Sequence, residues 1–352
     1  MVLTTVVTSK FLGTTDSHRP TVPSAYTHRV FGRPQAGILS SVAFSPDGKT
    51  LSAGATGGPK AGPKRGGHAE GTTYLWDVKT GLKIGTLSPG GGAEAFSPNG
   101  SILAAAGGPG NDTTYLWEVA AHRTIATLSD HHDSSVEGVA FSASGKTLAV
   151  NDANGTVYVW ALGRGGEVAA GYHPGVLALP GGVKSDAIAF SRRGATLAMG
   201  GANGQVYLWS EAAGTVTRAL KPAGNPAAVT SVAFSPNGQE LAAGENGGVT
   251  YVWGVASRTR LSLPDPDGSA IESVAFSPDG KWVATGAANG KTYLWHLSAT
   301  KPFATLTNPK GPASQSSSED QGTAVFSVAF SPGGASLATT DPDGRVFLWK
   351  MR

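Results

Sequence analysis

The sequence predicts an all-β fold, a seven-bladed β-propeller of four-stranded antiparallel blades, and a regular repeat leads to this prediction. A phenylalanine in an Ala-Phe-Ser step recurs every 42 to 54 residues, and in five of the seven units a tryptophan follows nineteen residues later. Each unit has three strand-like segments and room for a fourth, as propeller blades do, and blades bury a core only when stacked. The phenylalanines are Phe44, Phe96, Phe141, Phe190, Phe234, Phe276 and Phe330, and the tryptophans are Trp76, Trp117, Trp160, Trp209, Trp253, Trp295 and Trp349.

The first unit shows how these residues form strands. Val42 and Phe44 lie on one face of a strand and Ala43 on the other, with a period of two. Residues 45–48, Ser-Pro-Asp-Gly, then turn the chain, because proline presets φ and glycine accepts a positive φ. Further strands are expected around residues 50–54 and 73–77. In three later units an Asn-Gly pair precedes the third strand, which is a strong hairpin signal.

At these residues the chain resembles WD40-repeat proteins, particularly bacterial arrays written as Ser-Val-Ala-Phe-Ser-Pro-Asp-Gly-Lys followed by Tyr-Leu-Trp. The resemblance covers residues 27–352, but the namesake Trp-Asp pair survives only as Trp76-Asp77. The family's Gly-His histidine is matched only by His132, and its buried second-hairpin aspartate only by Asp343, with asparagine in four other units. A complete His-Ser-Asp-Trp hydrogen-bond network is therefore not expected, and stability should rest mainly on packing between blades.

The last unit ends one strand short. The resemblance implies that an N-terminal segment supplies the missing outer strand, and residues 27–33 are the candidate. Closing the ring in this way removes exposed sheet edges. We therefore predict a propeller over residues 27–352 and an N-terminal arm over residues 1–26. The arm is open to four interpretations: an added strand, a segment packed across a face, a disordered tail or a non-native expression leader.

Composition narrows the functional class. The net charge is only +3 and no basic stripe is visible, so we expect no nucleic-acid partner. Cysteine is absent, which excludes disulfides and Cys-based zinc sites. The apolar run at residues 1–7 is too short for a signal peptide or a membrane span. We expect a cytoplasmic monomer that does not bind membranes.

No motif specifies a cofactor, a metal or a catalytic residue. Residues 130–133, Asp-His-His-Asp, offer metal ligands, but no second cluster completes the set. The Asp-Pro-Asp-Gly segments at 265–268 and 341–344 are turn sequences without enough oxygens for calcium. Neither a nucleophile elbow nor a cysteine nucleophile is present. We therefore expect no cofactor and no metal, and favour a binding protein over an enzyme.

Insertions indicate where a partner binds. The first hairpin turn is short in every unit, whereas residues 56–70 lengthen the second hairpin of unit one and residues 309–320 the connection into unit seven. Strand alternation places both on one face, which we call the top face, and long loops on a rigid scaffold suggest a binding surface. Tolerated loop drift is the alternative. The additional residues at 163–182 are compatible with a longer loop either before or after an outer strand. The first insertion contributes four candidate contacts for an acidic partner, Lys60, Lys64, Arg65 and His68.

The position four residues before each repeat phenylalanine, at the mouth of the innermost strand, is acidic in three units. Such acids suit a cation or a basic peptide, and solvated strand-start residues are the plain alternative. The candidate partner-binding residues at this position are Glu137, Asp186, Glu272 and Phe326.

Glu94 occupies a slot that is valine or isoleucine in the six other units. A buried carboxyl there costs stability unless it is paired, and perturbed acids are commoner at functional sites. A local shift of register in the Gly-Gly-Gly segment at 90–92 is the alternative.

We therefore predict a non-catalytic protein-interaction or sensing scaffold that binds a protein or peptide on its top face. The alternative is an enzyme or small-molecule-binding propeller that uses the central top pocket, with Glu94, Glu137, Asp186 and Glu272 as its acids. The resembling bacterial arrays are attached to serine/threonine kinases, so the chain is expected to be a stand-alone relative or an excised domain. Fold alone does not separate these functions.

Overall fold

The protein, studied as a computed structural model, consists of seven antiparallel sheets, six of four strands and one of five. The structure describes residues 4–6, 26–31, 37–56, 71–108, 110–129, 134–163, 165–168, 173–222, 226–257, 260–308 and 324–351. Within these ranges the only helix is a 3-10 turn at Pro180–Gly182, and no helix is long and apolar enough to cross a membrane.

The strands follow one another blade by blade. The N-terminal strands are β1 (Thr4–Val6) and β2 (Thr27–Phe31). Blade 1 has β3 (Ile38–Phe44), β4 (Thr50–Thr56), β5 (Thr72–Asp77) and β6 (Lys83–Leu87). Blade 2 has β7 (Glu94–Phe96), β8 (Ile102–Ala106), β9 (Thr113–Glu118) and β10 (Arg123–Ser129). Blade 3 has β11 (Val136–Phe141), β12 (Thr147–Asp152), β13 (Val157–Ala161) and β14 (Gly175–Leu177).

The second half of the ring repeats this order. Blade 4 has β15 (Ser185–Phe190), β16 (Thr196–Gly201), β17 (Val206–Ser210) and β18 (Thr215–Leu220). Blade 5 has β19 (Val229–Phe234), β20 (Glu240–Glu245), β21 (Val249–Gly254) and β22 (Arg260–Pro264). Blade 6 has β23 (Ile271–Phe276), β24 (Trp282–Ala287), β25 (Lys291–His296) and β26 (Ala304–Thr307). Blade 7 has β27 (Val328–Phe330), β28 (Ser336–Thr340) and β29 (Val346–Lys350), completed by β2.

The predicted seven-bladed ring, closed by an N-terminal outer strand, is confirmed. β2 pairs antiparallel with β29, and β1 adds a fifth, outermost strand to the same sheet. β1 at Thr4–Val6 belongs to the segment predicted as an N-terminal arm, and most of the rest of that segment lies outside the described residues. Phe31 of β2 is only 1% exposed, and its ring meets that of Trp76 in blade 1 edge-on, with 6.0 Å between centroids. The N-terminal strand thus completes blade 7 and seals it against blade 1.

The hydrophobic core lies between the blades. We call each interface between neighbouring blades a seam and name it by its two blades. In seam 1/2, for example, Leu75 and Leu87 of blade 1 pack with Leu103 and Trp117 of blade 2. Burial of apolar side chains from both blades is the main favourable term for such an interface.

Part of the hydrogen-bond network that the resemblance implies is present in blades 6 and 7. The indole N–H groups of Trp295 and Trp349 each donate to a threonine hydroxyl at 3.0 Å, Thr285 in blade 6 and Thr339 in blade 7. Thr339 in turn donates to the side-chain oxygen of Asn308 at 3.1 Å. The histidine counterpart identified from the sequence, His132, lies outside the described residues.

The asparagines of the second hairpin bond to a tyrosine four residues later. The amide of Asn203 donates to the Tyr207 hydroxyl at 2.9 Å, and that of Asn289 donates to Tyr293 at 3.2 Å. The side-chain oxygen of each asparagine also accepts a backbone N–H two residues on, which holds the turn.

The excess at 163–182 lies mainly before the outer strand of blade 3, because β13 ends at Ala161 and β14 begins at Gly175. Strand alternation puts this connection at the same end as the first hairpin turns, opposite the top face. The lower face is therefore elaborated as well, at one blade. The two top-face insertions fall almost wholly outside the described residues, at 57–70 and 309–323.

Candidate functional site

A β-bulge marks the inner rim of five blades. The pairing between the inner strand and its neighbour skips one residue, always the one four positions before the repeat phenylalanine. A bulged residue leaves the ladder, and its side chain is redirected. The bulged residues are Ser40, Glu137, Asp186, Thr230 and Glu272. The sequence-predicted acids thus occupy one structurally equivalent position, which the local backbone sets apart from the regular strand.

Glu137 and Asp186 form the electrostatic centre of this rim. Both side chains are exposed at the rim, yet partial desolvation raises the pKa of the Glu137 carboxyl, and the nearby charge of Asp186 raises it further. Partial desolvation also raises the pKa of Asp186, against the opposing charge of Lys184. An added cation would stabilise the anionic form of both carboxyls.

Glu272 lies apart from this pair. Burial alone raises its pKa, with no contribution from either of the other two acids. Among the described residues, none of the three acids has a hydrogen-bond or ion-pair partner. The structure therefore brings Glu137 and Asp186 together and leaves Glu272 two blades further round the ring.

The hydroxyl residues at the same bulge position reach into the next blade. The Thr230 hydroxyl lies against the backbone carbonyl of Ile271, and the Ser40 hydroxyl lies 3.5 Å from that of Gly91. An ionised carboxylate cannot donate in this way, because it is only an acceptor. The acidic blades therefore keep their acceptor oxygens available for an external donor.

The other candidate partner-binding residues differ in how far they are described. Phe326 is half-buried and lies two residues before the short inner strand of blade 7. Lys60, Lys64, Arg65 and His68 lie outside the described residues, as do residues 130–133. In the described part of the chain, no group of three or more His, Cys, Asp or Glu side chains is arranged to hold a metal ion.

Glu94 lies in seam 1/2, on the side of blade 2 that faces blade 1. Both carboxyl oxygens are shielded from solvent and lack a hydrogen-bond partner among the described residues. Burial raises the pKa of Glu94 to about 7, and the hydroxyls of Thr73 and Ser52 oppose this rise in part, although neither makes a hydrogen bond of normal geometry. The carboxyl therefore does not join Glu137 and Asp186 in one pocket.

Other polar groups accompany Glu94 in the seam. The hydroxyl of Thr73 and the indole N–H of Trp117 are also buried without a partner in the described structure. Ser52, which was not predicted as a site residue, stands where the six other blades have alanine, so the sequence did contain a signal for it. The neighbouring glycine segment fits closely: a Cβ on Gly91 would lie 2.3 Å from the backbone oxygen of Ala55. The glycines therefore permit close strand contact beside the buried acid.

The two Asp-Pro-Asp-Gly segments use their acids within the protein. Asp267 accepts hydrogen bonds from Lys291 at 2.6 Å and from the Tyr293 hydroxyl at 2.8 Å, both in blade 6. In blade 7, Arg345 pairs with Asp341 at 2.5 Å and with Asp343 at 2.8 Å. Asp267, Asp341 and Asp343 therefore serve as structural contacts within a blade or between neighbouring blades.

Comparison with known proteins agrees with this architecture. Residues 122–161, 215–254, 258–296 and 314–350 match the family described as WD domain, G-beta repeat. These four matched segments, which together cover less than half of the chain, correspond to blades 3, 5, 6 and 7.

A solved structure shows the same fold over most of the chain. The beta-propeller domain of Myceliophteria thermophila Cps50 (Swd1) aligns with a TM-score of 0.74 and 17% identity, covering 92% of this chain and 100% of that one. At this identity the likeness concerns the fold alone. No curated protein sequence matches the chain significantly.

Proposed function

We propose that this WD40 propeller is a non-catalytic interaction or sensing scaffold that binds a basic segment of a partner protein across the inner rim of its top face. The observation that carries the proposal is the pair of Glu137 and Asp186. Their raised pKa values and unpaired oxygens make them receptive to an incoming cation.

An extended basic segment suits the rim better than one metal ion. A divalent cation needs several oxygens within bonding distance, whereas the acids lie on blades 3, 4 and 6. A peptide with spaced lysine or arginine side chains can reach the Glu137–Asp186 pair and Glu272 together. Phe326 lies at the equivalent position of blade 7 and would contact the apolar part of such a segment.

The proposal also includes the more specific expectations from the sequence, which concern the kind of array, the cellular location and the oligomeric state. The chain would be a bacterial array of the kind attached to serine/threonine kinases, either stand-alone or excised, and a cytoplasmic monomer. Its small net charge of +3 supports a protein partner over nucleic acid. The insertion that carries Lys60, Lys64, Arg65 and His68 would contact acidic parts of the same partner.

Charge reversal at the rim tests the proposal. The variant with Glu137→Lys, Asp186→Lys and Glu272→Lys should bind a lysine- and arginine-rich peptide at least about tenfold more weakly, by fluorescence anisotropy. Its affinity should also depend less on salt, because exposed charges act within a Debye length of about 10 Å at ~0.1 M ionic strength. Reversal of Lys60, Lys64 and Arg65 should have the opposite effect.

Glu240→Lys supplies a control. Glu240 is an acid whose pKa burial also raises, but it begins β20 at the lower end of blade 5. The control should bind the basic peptide like the wild type. Equal affinity of the triple variant and this control would refute the top-face proposal and direct attention to the lower face or the outer rim.

A further inference from the structure

A cavity opens on the outer rim of seam 4/5. It has a volume of about 670 Å³ and lies between β18, the outer strand of blade 4, and the neighbouring blade 5. Trp253 of blade 5, only 3% exposed, contributes to its wall. We call this space the rim cavity.

The charged side chains around the rim cavity are all cationic. Arg218 and Lys221 come from blade 4 and Arg260 from blade 5, and no acid is among the described lining residues. Arg218 is held in place, because its guanidinium donates to the backbone carbonyl of Val255. A guanidinium has five N–H donors, so most remain available for an anion.

A second cavity lies on the other side of the same strand. Its volume is about 630 Å³, and it is shared between β18 and the connection that leads into blade 4. Pro180, Val183, Tyr207 and Val216 make it more apolar than the rim cavity. Arg218 and Lys221 touch both spaces, so the two cavities flank one strand.

β18 also offers backbone groups for pairing. It is the outermost strand of blade 4, and no described strand pairs with its outer edge. An extended peptide can add to such an edge, and its alternate side chains then point to opposite sides of the sheet. On β18 those two sides are the rim cavity, which has three cations, and the second cavity, which shares Arg218 and Lys221 but adds several apolar residues.

We propose that the outer edge of blade 4 binds an extended segment of a partner protein that carries an anionic side chain, a phosphoryl group or a carboxylate, next to an apolar residue. The anion enters the rim cavity between Arg218, Lys221 and Arg260. The adjacent apolar residue enters the second cavity, and main-chain hydrogen bonds to β18 supply the rest of the affinity. A protein segment is favoured over a membrane or nucleic acid because the three cations lie beside the edge of β18, with which no described strand pairs.

Blade 1 provides a matched control. Lys83 pairs with Trp76 as Arg260 pairs with Trp253, and it lies 5.6 Å from the Tyr74 ring as Arg260 lies 5.4 Å from the Tyr251 ring. In seam 7/1, Arg29 likewise donates to the carbonyl of Lys79 at 2.9 Å. The same basic framework thus recurs in seam 7/1, away from the rim cavity.

Peptide binding tests the inference. Short labelled peptides carry phosphoserine, aspartate or serine between leucines, and anisotropy measures their affinity for the full chain. We expect the phosphoserine or aspartate peptide to bind, and Lys221→Glu with Arg260→Glu to weaken it at least about tenfold. Lys83→Glu should change the affinity by less than about twofold. Backbone N-methylation of the peptide should abolish binding, because it removes the strand hydrogen bonds.

The relative affinities of the phosphoserine and aspartate peptides identify the preferred anion. Equal binding of the serine peptide, or an equal loss in the Lys83→Glu control, would overturn the inference. So would anionic phospholipid vesicles, single-stranded DNA or inorganic phosphate binding at the rim while the peptides do not. The Glu137 and Asp186 variants should leave this binding unchanged, which separates it from the top-face proposal.

Discussion

Seams 5/6, 6/7 and 7/1 are joined at the inner rim in a way that seam 1/2 is not. In the first three, a serine three residues before the repeat phenylalanine accepts the backbone N–H of the next blade's apolar slot residue at 3.1 Å. These serines are Ser231, Ser273 and Ser327. In seam 1/2, Ser41 instead donates to the carbonyl of Gly92 at 2.8 Å, and the slot residue is Glu94.

From this difference we expect the serine-linked seams to be more stable than seam 1/2. The serine-linked seams satisfy a backbone donor and bury valine, so both terms favour packing. Seam 1/2 buries a carboxyl and an indole N–H without partners among the described residues, in addition to the Thr73 hydroxyl, whose equivalents Thr250 and Thr292 in blades 5 and 6 are unpaired as well. Such groups cost free energy when removed from water, so seam 1/2 should be the first to open.

Removal of the N-terminal strand should have the largest effect, because it destroys seam 7/1. Deletion of residues 1–34 removes β2 and Phe31, exposes the edge of β29 and should cause aggregation. Of the described strands, deletion of residues 1–24 removes β1 alone, and it should leave the melting temperature nearly unchanged. Calorimetry and light scattering measure both. Identical melting and solubility for the two truncations would show that β2 does not close the ring.

Glu94→Val should stabilise seam 1/2, with an effect that grows with pH. The folded-state pKa of about 7 lies above the ordinary value of 4.5, so the folded protein binds the proton more tightly. Stability contributed by this protonation is complete below about pH 4.5, falls as pH rises towards about 7, and is lost above it. At pH 8 the valine variant should gain about 3 kcal/mol, measured by chemical unfolding, and less at pH 5.

Glu94→Gln separates the effect of the carboxylate charge on stability from the effect of burying a polar side chain. The amide cannot ionise, so this variant should lose the pH dependence but gain less stability than valine, because its polar atoms stay unpaired. If the difference in stability between wild type and Glu94→Val were the same at pH 5 and pH 8, the buried carboxyl would not be the titrating group.

The period of the sequence was sufficient to predict the fold. Repeated phenylalanines and tryptophans specify equivalent strands. The resemblance to WD40-repeat proteins implied that an N-terminal strand completes the short last unit, and β2 does so. The equivalence of Glu137 and Asp186 was predictable for the same reason, because consecutive units place the same position on neighbouring blades. Their electrostatic coupling depended on the bulge and on side-chain directions, which the period does not specify.

The surroundings of Glu94 were not predictable from its own unit. The sequence showed a glutamate at a position that is apolar in the other units. The groups around its carboxyl, Ser52 and Thr73, however, belong to the previous blade. The rim cavity was missed for a similar reason. Arg218 and Arg260 lie in successive outer strands and form no basic stripe along the chain, so their proximity arises only when blades 4 and 5 stack.

A smaller effect is expected from the serine links themselves. Ser273→Ala leaves the buried backbone N–H of Val328 without its acceptor and should cost about 1–2 kcal/mol of unfolding free energy. Ser41→Ala removes only a donor to the carbonyl of Gly92 and should cost less than about 0.5 kcal/mol, because that carbonyl lies in a part-buried position and is more easily satisfied by water. Denaturant unfolding of both variants measures the difference. Equal losses would mean that the serine-linked seams owe their advantage to valine packing alone, and that the contrast with seam 1/2 depends on Glu94 rather than on the backbone hydrogen bond.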